Sequence, residues 1–264
     1  MIGAVERHWF EDLADHMGPA YLRYSFTKGT VAEVDALVDL LGLSPGMSVL
    51  DVGCGPGRHA IELAGRGISV VGVDISSRFV EVASGEAERL GVDARFLRCD
   101  ARALPFADRF DAAISLCQGA FGLGGPGPFA GDPQNFGSDR AVLEGIRRAL
   151  RPGGRCAVTA FSSYFQVRHL EEHDRFDAAT GVNHEPTEVR DERGSPRPAD
   201  LWTTCYTPRE LHLLATIAGL RVESIGSVTP GRYRQAAATI DQPEFLLIAS
   251  RPGERSGSRP PVVT

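Results

Sequence analysis

The sequence predicts an α/β fold built on a doubly wound, mainly parallel sheet, with a cap inserted late in the chain. Three observations carry this expectation. Segments of helical spacing alternate with short β-branched runs from residue 31 to about residue 161, and such alternation builds a parallel sheet covered on both faces, with ligands at the carboxyl ends of its strands. The first run, Val49-Leu50-Asp51-Val52, passes into Gly53-Cys54-Gly55-Pro56-Gly57 and then into a helix. The second, Ile68 to Val73, closes on Asp74. That is about the offset at which an acidic side chain reaches ribose hydroxyls in a nucleotide-binding βαβ unit.

The elements follow in order. Val31, Val34, Leu37, Val38 and Leu41 share one face of a helix that stops at Gly42, and Ser44-Pro45-Gly46 turns the chain into the first strand. In the turn that follows, glycines lacking Cβ let backbone amides approach a ligand, and the next helix offers unpaired N–H groups and a positive dipole end to a carboxylate or phosphate. Counted from Gly53 the turn reads G-x-G-x-G, with Arg58 where a dinucleotide dehydrogenase has its third glycine. This argues against NAD. A third strand over Ala94 to Arg98 leads to Asp100-Ala101, and a fourth over Phe110 to Leu116 enters Cys117-Gln118-Gly119. Leu150-Arg151-Pro152-Gly153-Gly154-Arg155 reads as a helix exit with a glycine stop before a fifth strand, Cys156 to Phe161. Thr207-Pro208 starts a last helix that Gly219 stops, and Arg221 to Val228 and Glu244 to Ala249 read as the two final strands.

With Asp51 leading the glycine turn, these residues resemble motif I of the class I S-adenosylmethionine-dependent methyltransferases. Val71-Gly72-Val73-Asp74 is similar to the family's second motif, and Leu150 to Gly154 to its L-K-P-G-G segment; the likeness covers about residues 30 to 161 closely. It implies a seven-stranded Rossmann-like sheet whose last two strands are antiparallel to each other. It also implies S-adenosyl-L-methionine as cofactor and methyl transfer to a small organic molecule. The cofactor carboxylate is then expected at Gly53, Cys54, Gly55 and Gly57, its ammonium near Asp51, and its ribose diol at Asp74 and Ile75. Adenine is expected at Asp100 and Ala101, and the transferable methyl beside Leu116 and Gln118. The leader up to Thr30, with Tyr21, Tyr24 and Lys28, resembles that of small-molecule methyltransferases in which a tyrosine and a basic residue close over the cofactor carboxylate. An amphipathic cap helix that merely buries its aromatics reads equally well.

Composition narrows the function classes. At 264 residues, 42% hydrophobic and 23% charged, the chain supports one substantial core. A net charge of −6 disfavours a broad nucleic-acid footprint. Leu116-Cys117-Gln118-Gly119 also lacks the N-P-P-aromatic tetrad used against a flipped base. Cys54, Cys99, Cys117, Cys156 and Cys205 are scattered without C-x-x-C spacing and read as free thiols of a cytoplasmic protein. No stretch approaches the roughly 20 apolar residues of a membrane span. The expected partner is a small-molecule acceptor, with no nucleic acid and no membrane; nothing in the sequence speaks to oligomeric state.

The layout expected is a cap segment over 1–30, a cofactor-binding core over 31–161, a substrate-cap insertion over 162–205, a closing helix and strands over 206–252 and a disordered tail over 253–264. Two stretches bear on the acceptor. Gly119 to Pro133 is rich in glycine and reads as a lid or as a long surface connection. Within the insertion, alternation around Glu192-Arg193-Gly194 suggests a hairpin. His169-Leu170-Glu171-Glu172-His173 matches H-x-x-E-H, whose histidines one helical turn apart could share zinc, but no third ligand is evident; no metal is expected, and a charged helix face is the plainer reading. Where the acceptor has a proton to lose, His173, His169 or Tyr24 is the candidate base, with His173 and Tyr24 preferred. The alternatives are a non-catalytic S-adenosylmethionine-binding protein and a zinc metallohydrolase using His169 and His173.

Overall fold

A computed structural model describes residues 7–125 and 136–253. The second half of the glycine-rich segment and the expected tail from residue 254 onward lie outside the described residues.

The first helix, α1 (Trp9–Met17), opens with a capping box in which the His8 ring accepts from Phe10 N–H and Glu11 accepts from His8 N–H. Two short 3₁₀ turns over 18–27 lead to α2 (Thr30–Leu41), stopped by Gly42 in the left-handed conformation. The alternating core then runs β1 (Ser48–Val52), α3 (Arg58–Gly65), β2 (Ser69–Asp74), α4 (Ser77–Leu90), β3 (Ala94–Arg98), β4 (Phe110–Ser115), α5 (Gly137–Ala149) and β5 (Leu150–Ser162). The insertion comprises α6 (Ser163–Arg168), β6 (Arg175–Asp177), β7 (Val182–Arg190) and β8 (Pro196–Tyr206). The chain then closes with α7 (Pro208–Ile217), β9 (Arg221–Thr229), β10 (Arg232–Ala236) and β11 (Glu244–Ser250).

The strands lie in the order β10-β9-β11-β5-β4-β1-β2-β3. From β3 to β5 they are parallel, while β11 runs antiparallel to both β5 and β9. Seven of these eight strands are the sheet expected. The eighth, β10, is an addition paired antiparallel along the β9 edge. Side-chain alternation sends Leu50, Val52, Phe245 and Leu247 into one apolar cluster with α5 and α7, and Val49, Leu246 and Ile248 into a second with α2 and α3. All five cysteines are unpaired thiols.

Two local expectations are corrected. The exit from α5 has no glycine stop: the helix ends at Ala149 with Leu150 already extended, and Pro152, which restricts Arg151 to extended conformations and has no N–H to give, cannot continue it. Arg151 to Gly154 instead form an irregularity inside β5, between the pairs Phe110–Leu150 and Ala112–Arg155. Second, His169 and His173 do not share a helix face; α6 ends at Arg168 and a turn follows, closed by Asp174 accepting from Glu171 N–H. The hairpin foreseen around Glu192 to Gly194 is present, formed by β7 and β8 with nine paired positions from Val182–Thr204 to Arg190–Pro196.

The hairpin tip reaches the N-terminal segment. Arg190 N–H donates to Tyr24 Oη at 3.3 Å, Arg23 donates to the Glu192 carbonyl at 2.8 Å and His16 donates to the Ser195 carbonyl at 3.2 Å. Beneath these contacts Leu13, Ala14, Met17, Phe79 and Val189 form a small separate apolar cluster. Two pieces of chain about 170 residues apart in sequence thus close over the carboxyl ends of the strands.

Candidate active site

Two cavities meet at the carboxyl ends of β1, β2 and β4, sharing Gly53, Asp74 and Gly119 as walls. The smaller, about 40 Å³, is bordered by Ile75, Cys99, Asp100, Ala101 and Arg102. The larger, about 280 Å³, is walled by Trp9, Phe10, Tyr21, Tyr24, Phe26 and Phe79 and by Gln118, Phe161 and Glu244.

Gly53 has φ +71°, and a Cβ there would lie 2.0 Å from the Gly119 carbonyl carbon, so only glycine lets the two backbones touch. The Gly53 and Cys54 amides both donate to the Val73 carbonyl, at 2.8 and 3.0 Å, and the Gly55 amide donates to Asp74 Oδ2 at 2.8 Å. The turn amides expected to meet a ligand carboxylate are therefore engaged within the chain. The first three amides of α3, at Arg58, His59 and Ala60, have no intrahelical acceptor. Gly55, by contrast, faces open space; a Cβ there would meet only Tyr21 Cε1, at 3.9 Å.

Asp74 is buried, accepting from Gly55 N–H on one oxygen and from Ser76 N–H, at 2.9 Å, on the other. Burial lifts its pKa to about 6 against those hydrogen bonds. Asp51 lies under the turn and lines neither cavity. Its Oδ2 is buried without a hydrogen-bond partner, and burial lifts the carboxyl to about 7. Asp100 caps the 3₁₀ turn that follows it and is gripped by the Arg102 guanidinium, which draws its pKa down despite burial. Ile75 and Ala101 line the smaller cavity, and Tyr21, Tyr24 and Gln118 the larger.

Several expected residues are not brought there. Cys54, Gly57 and Leu116 pack around the turn without lining either cavity. Lys28 is exposed and donates to the Leu22 carbonyl at 3.1 Å, its reach used up within its own segment. His173 and His169 are exposed and border neither cavity, and among the described residues no three His, Cys, Asp or Glu side chains cluster as a metal site. Tyr24 does border the larger cavity, with its hydroxyl oxygen already accepting from Arg190.

A buried polar network behind the turn escaped the sequence reading. Glu33 on α2, with no exposed side-chain surface, accepts from Arg58, from His59 Nε2 at 2.8 Å and from Gly231 N–H at 2.6 Å. Burial raises the Glu33 carboxyl, but these partners outweigh it and hold the group at about 2. Arg58 also donates to Thr30 Oγ1 at 3.0 Å and to Cys117 Sγ at 2.9 Å, and Cys117 Sγ meets Tyr233 Oη at 3.2 Å. Nearby, Glu244 at the start of β11 is 2% exposed, its Oε2 without a partner; burial raises it to about 7. Glu33 has a detectable signal, lying four residues before Leu37 on the apolar face of its helix, whereas Glu244 only heads an apolar strand.

The family model described as "Methyltransferase domain" matches residues 43–203. The chain is 36% identical over 128 residues to a demethylmenaquinone methyltransferase of Beutenbergia cavernae, covering 48% of this chain and 46% of that protein. It is 32% identical over 165 residues to the 27-O-demethylrifamycin SV methyltransferase of Amycolatopsis mediterranei, covering 58% of this chain and 55% of that one. The chain thus spans about half the length of the curated relatives it matches. In overall shape it is similar to the CcbJ methyltransferase from Streptomyces caelestis, with a TM-score of 0.74 at 17% identity, covering 94% of this chain and 100% of that one. A S-adenosylmethionine-dependent methyltransferase from Clostridium acetobutylicum gives a TM-score of 0.62 at 13% identity, over 89% and 95% of the two chains.

Proposed function

The chain belongs to the methyltransferase-domain family, and from that premise we propose that it transfers a methyl group from S-adenosyl-L-methionine to a small organic acceptor. The observation that carries the reading is the junction of the two cavities at Gly53 and Asp74. A ligand with a nucleoside end and a charged amino-acid end suits this junction. The residues fit such a group: Gly55 leaves open space, and Asp74 borders both cavities with a carboxylate able to accept further from a diol. Ile75, Asp100 and Ala101 would border the adenine. The smaller cavity has room for only a few waters, so the Asp100–Arg102 pair would have to yield to admit a purine.

When bound, the cofactor supplies a methyl group on a sulfonium. The protein's own contribution is alignment and exclusion of water, since in-line displacement needs the acceptor held at near-attack distance in a dry site. The aromatic walls of the larger cavity serve that end. Relatives named for demethylmenaquinone and demethylrifamycin support a small-molecule acceptor. The net charge of −6 and the unpaired cysteines support a cytoplasmic protein that binds no nucleic acid. Among the described residues no helix is long and apolar enough to cross a membrane. Titration calorimetry tests the proposal: S-adenosylmethionine and S-adenosylhomocysteine should bind, and NAD and ATP should not at comparable concentration. Binding of NAD in their place would overturn it.

A further inference from the structure

The geometry points to Glu244 and Gln118 as the acceptor-binding pair of the larger cavity, built to hold a hydroxyl group, with Glu244 as the base that takes its proton; the inference rests on the methyl-transfer reading above. Both side chains line that cavity. Glu244 is 2% exposed and Gln118 6%; the Gln118 side chain lies close enough to favour the charged Glu244 carboxyl, and each still keeps one buried atom without a well-formed hydrogen bond, Oε2 of the carboxyl and Nε2 of the amide. Unmet buried groups are costly, so two in one cavity wall point to a ligand that satisfies them. Their position agrees. Glu244 pairs with Phe161 at the carboxyl end of β5, and Gln118 follows the carboxyl end of β4, where an open parallel sheet binds its ligands.

The pair is one acceptor and one donor, and this favours a hydroxyl over an ammonium or a carboxylate. A hydroxyl gives its proton to Glu244 and accepts from Gln118 through its oxygen, satisfying both. An ammonium donates only and would face the Gln118 N–H with nothing to offer it, while a carboxylate would be repelled by Glu244. The remaining walls, Phe10, Phe79, Phe161 and the two tyrosines, suit an apolar or aromatic body. In the transfer step the acceptor O–H bond breaks and its proton passes to the Glu244 carboxylate. The freed oxygen pair forms the bond to the methyl carbon, and the carbon–sulfur bond breaks with its pair remaining on sulfur.

The test is calorimetry on the full chain with S-adenosylhomocysteine present, using 2-naphthol, 2-methoxynaphthalene and 2-naphthylmethylammonium as probes. The expected order places 2-naphthol at least about tenfold tighter than the other two, and Glu244→Gln and Gln118→Leu should each reduce that preference to less than about threefold. Equal binding of the three probes, or a 2-naphthol preference that survives both substitutions, would overturn the proposal. S-adenosylhomocysteine should bind Glu244→Gln as it binds the wild type; loss of that binding would move Glu244 to the cofactor and also overturn the assignment. Should the wild type not bind S-adenosylhomocysteine, the methyl-transfer reading fails. The same probe series without it then still decides whether the pair selects hydroxyls.

Discussion

Replacing Glu33 by Gln removes one buried charge and leaves nearly every atom in place. The Glu33 carboxyl is held at about 2 against an ordinary value of 4.5. A difference of about two and a half pKa units corresponds to about 3 kcal/mol of folding free energy. Contact logic gives the same size: Arg58, with a side chain 10% exposed, would be left buried without its carboxylate, a loss of about 3 to 5 kcal/mol. For a chain of this length 1 kcal/mol moves Tm by about 2 to 4 °C, so Glu33→Gln should melt about 6 to 12 °C below wild type at pH 7. The sign follows from the lowered pKa. The contribution is complete above pH 4.5, where the unfolded carboxyl is ionised, and fades as pH falls toward 2. The gap between wild type and variant should therefore narrow in acid. Scanning calorimetry across pH 3 to 7 measures it, with a denaturant midpoint as the second reading. A variant melting within 2 °C of wild type at pH 7, or a gap that does not narrow in acid, would refute the argument.

Asp74→Ala should weaken S-adenosylhomocysteine binding by about tenfold or more, through loss of charge-assisted contacts to the ribose; calorimetry at unchanged affinity would remove that role. Because burial raises Asp74 to about 6, it becomes charged only as pH climbs through that value, and cofactor affinity should rise between pH 5 and 7. Asp74→Asn should flatten that rise. Gly53→Ala should fold poorly or melt far below wild type, since its Cβ would enter the Gly119 backbone, whereas Gly55→Ala, with φ +54° but no close neighbour, should cost about 1 to 2 kcal/mol and be read in a melting scan. The double variant His169→Ala/His173→Ala should keep the wild-type Tm, and metal analysis of the wild type should find no stoichiometric zinc.

What the sequence discloses depends on how far apart the partners sit. The glycine turn, the Asp74 and Asp100 strand ends and the closing helix at Thr207 are written in consecutive residues whose backbone chemistry is local, and a mainly parallel sheet follows from their alternation. Glu33 meets Arg58 across 25 residues and Gly231 across 198, and no periodicity encodes such pairs. Nor does any pattern mark Glu244, a single polar residue at the head of a strand with every residue buried. The His169 and His173 pattern misled for the opposite reason. Its spacing has meaning only on a helix, and Asp174 closes a turn there instead. Lys28 has the right charge near the right turn, yet the Leu22 carbonyl claims it.

Cys117 and Gln118 pose a problem in sequence choice. Both have positive φ, 51° and 52°, and Gly119 N–H closes the turn onto the Leu116 carbonyl at 3.0 Å. This is the geometry of a type I′ turn, for which Asn-Gly is the comfortable pair, and each substituted residue held there costs about 1 kcal/mol or more. A redesign guided by folding stability alone would write glycines into positions 117 and 118 and obtain a more robust chain. It would also delete the thiol that meets Arg58 and Tyr233 and the amide that lines the cavity. The frustration is thus informative to an engineer: at these two positions the residues that make the best scaffold are not those that furnish the site, and stabilising substitutions are better sought elsewhere.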